Sequence, residues 1–86
     1  MISYVLVDAF QNRSPMTERF LILVFRKYGI AHENIPMYTA VLMKEDRRGE
    51  AETLAFVEAE LHLDADRWMD CANEVAEEVA DEVTAA

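Results

Sequence analysis

The chain has 86 residues, 52% of them hydrophobic, with a formal net charge of −9, one Cys, two Gly and two Pro. That length allows one domain, and so few turn residues disfavour an all-β fold built on many tight turns. The apolar content is ample for a core, the single Cys71 excludes an internal disulfide, and the acidic balance argues against direct binding to a phosphate backbone, which needs a basic surface to release counterions.

Residues 2–11 read two ways. Ile2, Val5, Leu6, Ala9 and Phe10 fit a helical stripe, whereas Tyr4, Val5, Leu6 and Val7 have strand composition. The next segment has clearer punctuation. Ser14 suits an N-cap, Pro15 the first helical position, and Gly29 a C-terminal stop, with Arg26 and Lys27 in the last turn where cations suit the dipole. A helix over residues 15–28 follows, and its uniformly apolar middle, residues 20–25, is expected at the centre of the core. The competing reading is a hairpin pairing residues 3–10 with 19–26. The six-residue apolar run is far short of the roughly 20 needed to span a bilayer.

Pro36 marks a third segment, with Asn34 or Ile35 as its cap. It is expected to run to about Arg47, with Met37, Tyr38, Val41 and Leu42 on one face. Arg48 and Gly49 read as a turn. Residues 50–62 are strong helix formers, with Leu54, Val57 and Leu61 on one face and Phe56, Ala59 and Leu63 roughly opposite. The last helix is the best specified. Asp64 fits its N-cap, Leu63 and Trp68 a hydrophobic staple, and Trp68, Ala72, Val75, Ala76, Val79 and Val83 a stripe at spacings of three and four. The pattern as a whole predicts an all-α bundle of four or five short helices. The alternative is α+β with the N-terminal β-hairpin.

Charge is placed unevenly. Residues 1–44 hold three acids and five bases, and residues 45–86 hold fourteen acids and three bases. At 100° per residue, Asp66, Asp70, Glu74, Glu77 and Asp81 fall opposite the apolar stripe of the last helix, joined by Glu78. Like charges at this spacing destabilise a helix, acids near its C-terminus oppose the dipole, and no Lys or Arg follows Arg67 to relieve them. Such a face either solubilises the protein or meets a basic partner.

Metal and catalytic signals are weak. Glu58 and His62 are spaced i,i+4 with Asp64, Asp66 and Asp70 following. A calcium loop counted from Asp64 has Met69 where Gly belongs and Val75 where Glu belongs. His32, His62 and Cys71 lack paired zinc spacing. Cys71 follows Asp70 on an acidic helix, where negative surroundings blunt a thiol. No metal, cofactor or enzymatic activity is therefore expected. Met43 and Phe56, off the main faces of their helices, are the expected exposed apolar patch, with the Val75, Val79, Val83 stripe as a second candidate interface.

Two functions fit. The first is a cytoplasmic acidic binding module that inhibits or regulates a protein partner with a basic surface, such as a nucleic-acid-handling complex, in the manner of a DNA mimic or an anti-defence inhibitor. Its partner-binding residues would be Asp66, Asp70, Glu74, Glu77, Glu78 and Asp81. The second is a homodimer or accessory subunit assembled through apolar helix faces at Met43, Phe56 and Val79. Neither involves a membrane.

Overall fold

The computed structural model describes residues 15–44 and 49–85, with side chains over residues 17–44 and 49–79. It is an all-α bundle with four α-helices and no strand among the described residues: α1 (Pro15–Tyr28), α2 (Ile35–Lys44), α3 (Glu50–Ala59) and α4 (Ala65–Ala85), with a 3-10 turn at His32–Asn34. The hairpin reading fails at its second strand, because residues 19–26 are the middle of α1. Residues 3–10 and the Ser14 cap lie outside the described residues.

α1 is the organising helix, packing on α4 along one flank and on α2 along the other. Its boundaries match the sequence expectation, and the C-terminal stop has a clear cause. Gly29 adopts φ 107°, a region closed to most side chains. Its N–H donates to the Arg26 carbonyl at 3.1 Å, and the Ile30 N–H donates to the Phe25 carbonyl at 3.1 Å. This pair of bonds is a Schellman cap, and Ile30 is partly buried against the core.

The core joins Phe20, Leu21, Val24 and Phe25 of α1 to Ile35 and Leu42 of α2, Val57 of α3, and Trp68, Ala72, Val75 and Ala76 of α4. An aromatic ladder crosses it. Phe25 stacks on Tyr38 at 5.8 Å between ring centroids and meets Trp68 at 6.2 Å with a tilt of 58°, an arrangement aromatic rings favour.

Two helices differ from expectation. α2 turns Ile35, Thr39 and Leu42 inward, leaving Met37 and Val41 exposed. Apolar residues surround α2 on all sides, so hydrophobic periodicity could not fix its rotation. Ile35 is its first residue and is buried, not a cap. α3 stops at Ala59 instead of near 62, because His62 takes φ 58°, a left-handed conformation that ends helical hydrogen bonding and that His tolerates better than most residues.

α4 begins as expected. The Asp64 carboxylate Oδ1 accepts from the backbone N–H of Asp66 at 3.0 Å and of Arg67 at 3.2 Å, satisfying donors that helix geometry orphans. Leu63 packs against the core that holds the fully buried Trp68, as a hydrophobic staple requires.

Candidate protein-binding surface

The acidic stripe and its setting depend on how α4 lies against α1. Asp66, Asp70, Glu74, Glu77 and Glu78 are all exposed, opposite buried Trp68, Ala72, Val75 and Ala76. Asp81 lies within the α4 backbone, and its side chain is outside the described part.

The stripe is not free of cations, as the local sequence suggests. Lys27 reaches across from α1, donating to the Glu78 carboxylate and standing 3.8 Å from Glu74. The hydrogen bond to Glu78 is the largest influence raising the Lys27 pKa, with the charges of Glu78 and Glu74 adding to it and desolvation opposing. This neutralising residue lies 51 positions from Glu78 in the chain, beyond any helical spacing rule.

Arg67, the one base on α4, is engaged by Tyr28 of α1. Its Nη2 donates to the Tyr28 carbonyl at 2.6 Å and its guanidinium sits 4.4 Å from the centroid of the Tyr28 ring. The Tyr28 hydroxyl in turn accepts from the Asp64 N–H at 3.0 Å. Tyr28, Asp64 and Arg67 thus tie the end of α1 to the start of α4. The sequence offered one clue to this clamp, a solitary Arg in an acidic segment.

With Glu74 and Glu78 engaged by Lys27, and Arg67 by Tyr28, Asp66, Asp70 and Glu77 have no ion-pair partner among the described residues. They form a row about 16 Å long at 1.5 Å rise per residue.

The apolar interface candidates fall elsewhere than expected. Met43, Phe56 and Val79 are each half-buried and packed against the core, so Met43 and Phe56 are not an exposed patch. Among the described residues, the large exposed apolar side chains are Leu23, Met37 and Val41. A groove of about 440 Å³ opens between α1 and α2, with Met43 in its wall.

The candidate chemical groups do not converge. Among the described residues, no three of His, Cys, Asp and Glu are grouped to hold a metal ion, and the Asp64 carboxylate is already committed as a helix cap. Cys71 is buried, and its thiol pKa is raised first by desolvation and then by Glu74, with Arg67 and Lys27 opposing. A thiol so placed is held protonated at neutral pH and is a poor nucleophile. No described helix is long and apolar enough to cross a membrane.

Comparison of the chain with protein-family models, with curated proteins and with solved structures finds no match.

Proposed function

We propose that this protein is a small binding module, without catalysis of its own, that inhibits or regulates another protein by presenting the acidic face of α4 to a basic surface. The observation that carries the reading is the row of Asp66, Asp70 and Glu77, exposed and without ion-pair partners among the described residues. Like charges held this close on one helix cost stability, and a basic partner would offset that cost while being steered to the site. Glu74 and Glu78 extend the same surface, and Asp81 follows them in the sequence of the same helix.

Proteins that handle nucleic acids are the natural partner class, because their binding grooves are basic. In that setting the helix acts as a mimic of a phosphate backbone and works in the cytoplasm. The test uses the triple variant Asp66→Lys, Asp70→Lys, Glu77→Lys beside the wild type. Partners would be captured from host lysate and identified by mass spectrometry, then measured with the purified components. The expected result is a partner that binds the wild type at about 0.1 M salt, loses it at about 0.5 M, fails to bind the triple variant, and is displaced by duplex DNA. Undiminished binding by a triple variant of unchanged helical circular dichroism overturns the proposal.

A further inference from the structure

The groove between α1 and α2 has a volume of about 440 Å³, within the range of about 300–1,000 Å³ that small-molecule sites occupy. Its walls are mainly apolar. Ile22 comes from α1, and Ile35, Ala40 and Met43 come from α2. Thr39 also lines it, 3% exposed, and its hydroxyl has no partner among the described residues. Small-molecule sites combine such walls with a few polar groups that fix orientation.

Here the polar groups are sorted by end. Arg26 is in the last turn of α1, and His32 opens the 3-10 turn that leads into α2. Both line the groove. Phe25 stacks on Tyr38, so the end of α1 lies by the start of α2, and Arg26 and His32 share that end. Glu18 is in the first turn of α1, about 12 Å from Arg26 along the helix axis. Arg26 has no ion-pair partner among the described residues. The groove also belongs to the half of the chain that favours an anion. Residues 1–44 hold five bases and three acids, and the one charged residue of α2 is Lys44.

We propose that this groove binds a small apolar carboxylic acid, an alkyl or aryl body ending in a carboxylate. The carboxylate pairs with Arg26 and accepts a hydrogen bond from the His32 imidazole. The body lies over Ile22, Ile35 and Ala40 towards Met43, whose flexible thioether adapts to its shape. Glu18 repels a carboxylate at the far end, so the acid enters one way round. A hydroxyl or keto oxygen on the body would offset the cost of the unpartnered Thr39 hydroxyl. Lys27, which reaches α4, and Ile22, which borders the groove, lie about 140° apart around α1 at 100° per residue. An occupied groove therefore leaves the α4 acids open to a partner.

The test is a titration of the full chain followed by amide chemical shifts, with octanoate and octanol as probes. The two share one alkyl chain and differ in the charged end. Octanoate should bind at one site with a Kd of about 0.1–1 mM, in keeping with its few atoms. The shifts should centre on Ile22, Arg26, Ile35 and Ala40. Octanol should bind about threefold more weakly, or worse, for want of the charge-assisted contact. Arg26→Gln should weaken octanoate by about three- to tenfold and leave octanol unchanged. Ala40 is exposed, so Ala40→Trp fills the groove without entering the core. It should keep the helical circular dichroism and lose both probes. No shift at about 10 mM octanoate, shifts centred on α3 or α4, octanoate bound as tightly by a folded Ala40→Trp variant, or an Arg26→Gln variant that treats the two probes alike would each overturn the proposal.

Discussion

The outer faces of α2 and α4 are built from opposite materials. α4 has seven acids and one base in its 21 residues, and that base is drawn onto Tyr28. α2 has no acid in ten residues and shows solvent a ridge of Met37 and Val41. Both helices bury a complete inner face against α1, so the core does not require either outer surface. An acidic face relieved by the single cation Lys27 costs helix stability, and apolar side chains in water forgo the free energy of burial, about 25 cal/mol per Å². The two surfaces each work against the isolated chain, by different physics. A contact made by the first should be sensitive to salt, and one made by apolar side chains much less so.

The largest expected effect comes from breaking what the two faces share. Trp68 is fully buried and meets Phe25, which stacks on Tyr38 of α2. Trp68→Ala should cost about 3–5 kcal/mol, against a total of roughly 4–13 kcal/mol for a domain of this length. Urea unfolding followed by circular dichroism measures it. The loss should loosen both faces together, since the ladder joins α2, α1 and α4. A variant that loses only the α4 contact would show that the two surfaces do not share a core.

The next effect separates the faces. Asp66→Lys, Asp70→Lys and Glu77→Lys together should lower affinity for a basic partner at least tenfold, about 1.4 kcal/mol or more, and leave octanoate binding in the α1–α2 groove unchanged. Ala40→Trp should do the reverse. Isothermal titration with the partner, beside the octanoate titration, reads both quantities on each variant. If either set of changes moves both readouts equally, the division between the faces is wrong.

Their difference also shows where sequence reasoning stops. The rotation of α4 was legible because its stripe from Trp68 to Val79 has a strong period, and its start because Asp64 and Leu63 carry local capping chemistry. The end of α1 was legible at Gly29 for the same kind of reason. The rotation of α2 was not, since Pro36, Met37, Ala40 and Val41 offer as much apolar surface outward as Ile35 and Leu42 offer inward. Buried Thr39 even reverses the polarity rule, with its hydroxyl unpartnered among the described residues. The acidic stripe was legible as a set of exposed residues. Its partial neutralisation was not, because Lys27 meets Glu74 and Glu78 only through the packing of α1 on α4. Spacing rules reach one or two helical turns, and this ion pair depends on tertiary structure.

Lys27 provides a gentler way to sharpen the α4 surface. Lys27→Ala releases Glu74 and Glu78 to solvent and adds one unit of negative charge beside Asp70 and Glu77. The pair is largely exposed, and exposed pairs contribute little to stability, so thermal unfolding should shift only slightly downward. Affinity for a basic partner should rise, most visibly at low salt, because the partner no longer competes with an internal cation. Octanoate binding in the α1–α2 groove should change little. Weaker binding by the variant would mean that Lys27 orders the carboxylates for the partner instead of masking them.

The smallest effect is a dependence on alkaline pH, and it bears on the α1–α4 seam alone. The pKa of Lys27 is raised above its ordinary 10.5, chiefly by the hydrogen bond to Glu78, and that of Cys71 above 9.0, chiefly by desolvation. A group whose folded pKa is raised binds its proton more tightly in the folded state. Its contribution is therefore complete below the unfolded pKa and is lost as pH rises through the folded one. For Cys71 the loss begins near pH 9, and for Lys27 near pH 10.5. Urea midpoints should fall across this range, and thiolate absorbance in the folded protein should appear at higher pH than in the unfolded chain. Cys71→Ala should remove the first part of the fall, and Lys27→Ala the second. Neither group lies on α2, so these substitutions test the α1–α4 seam.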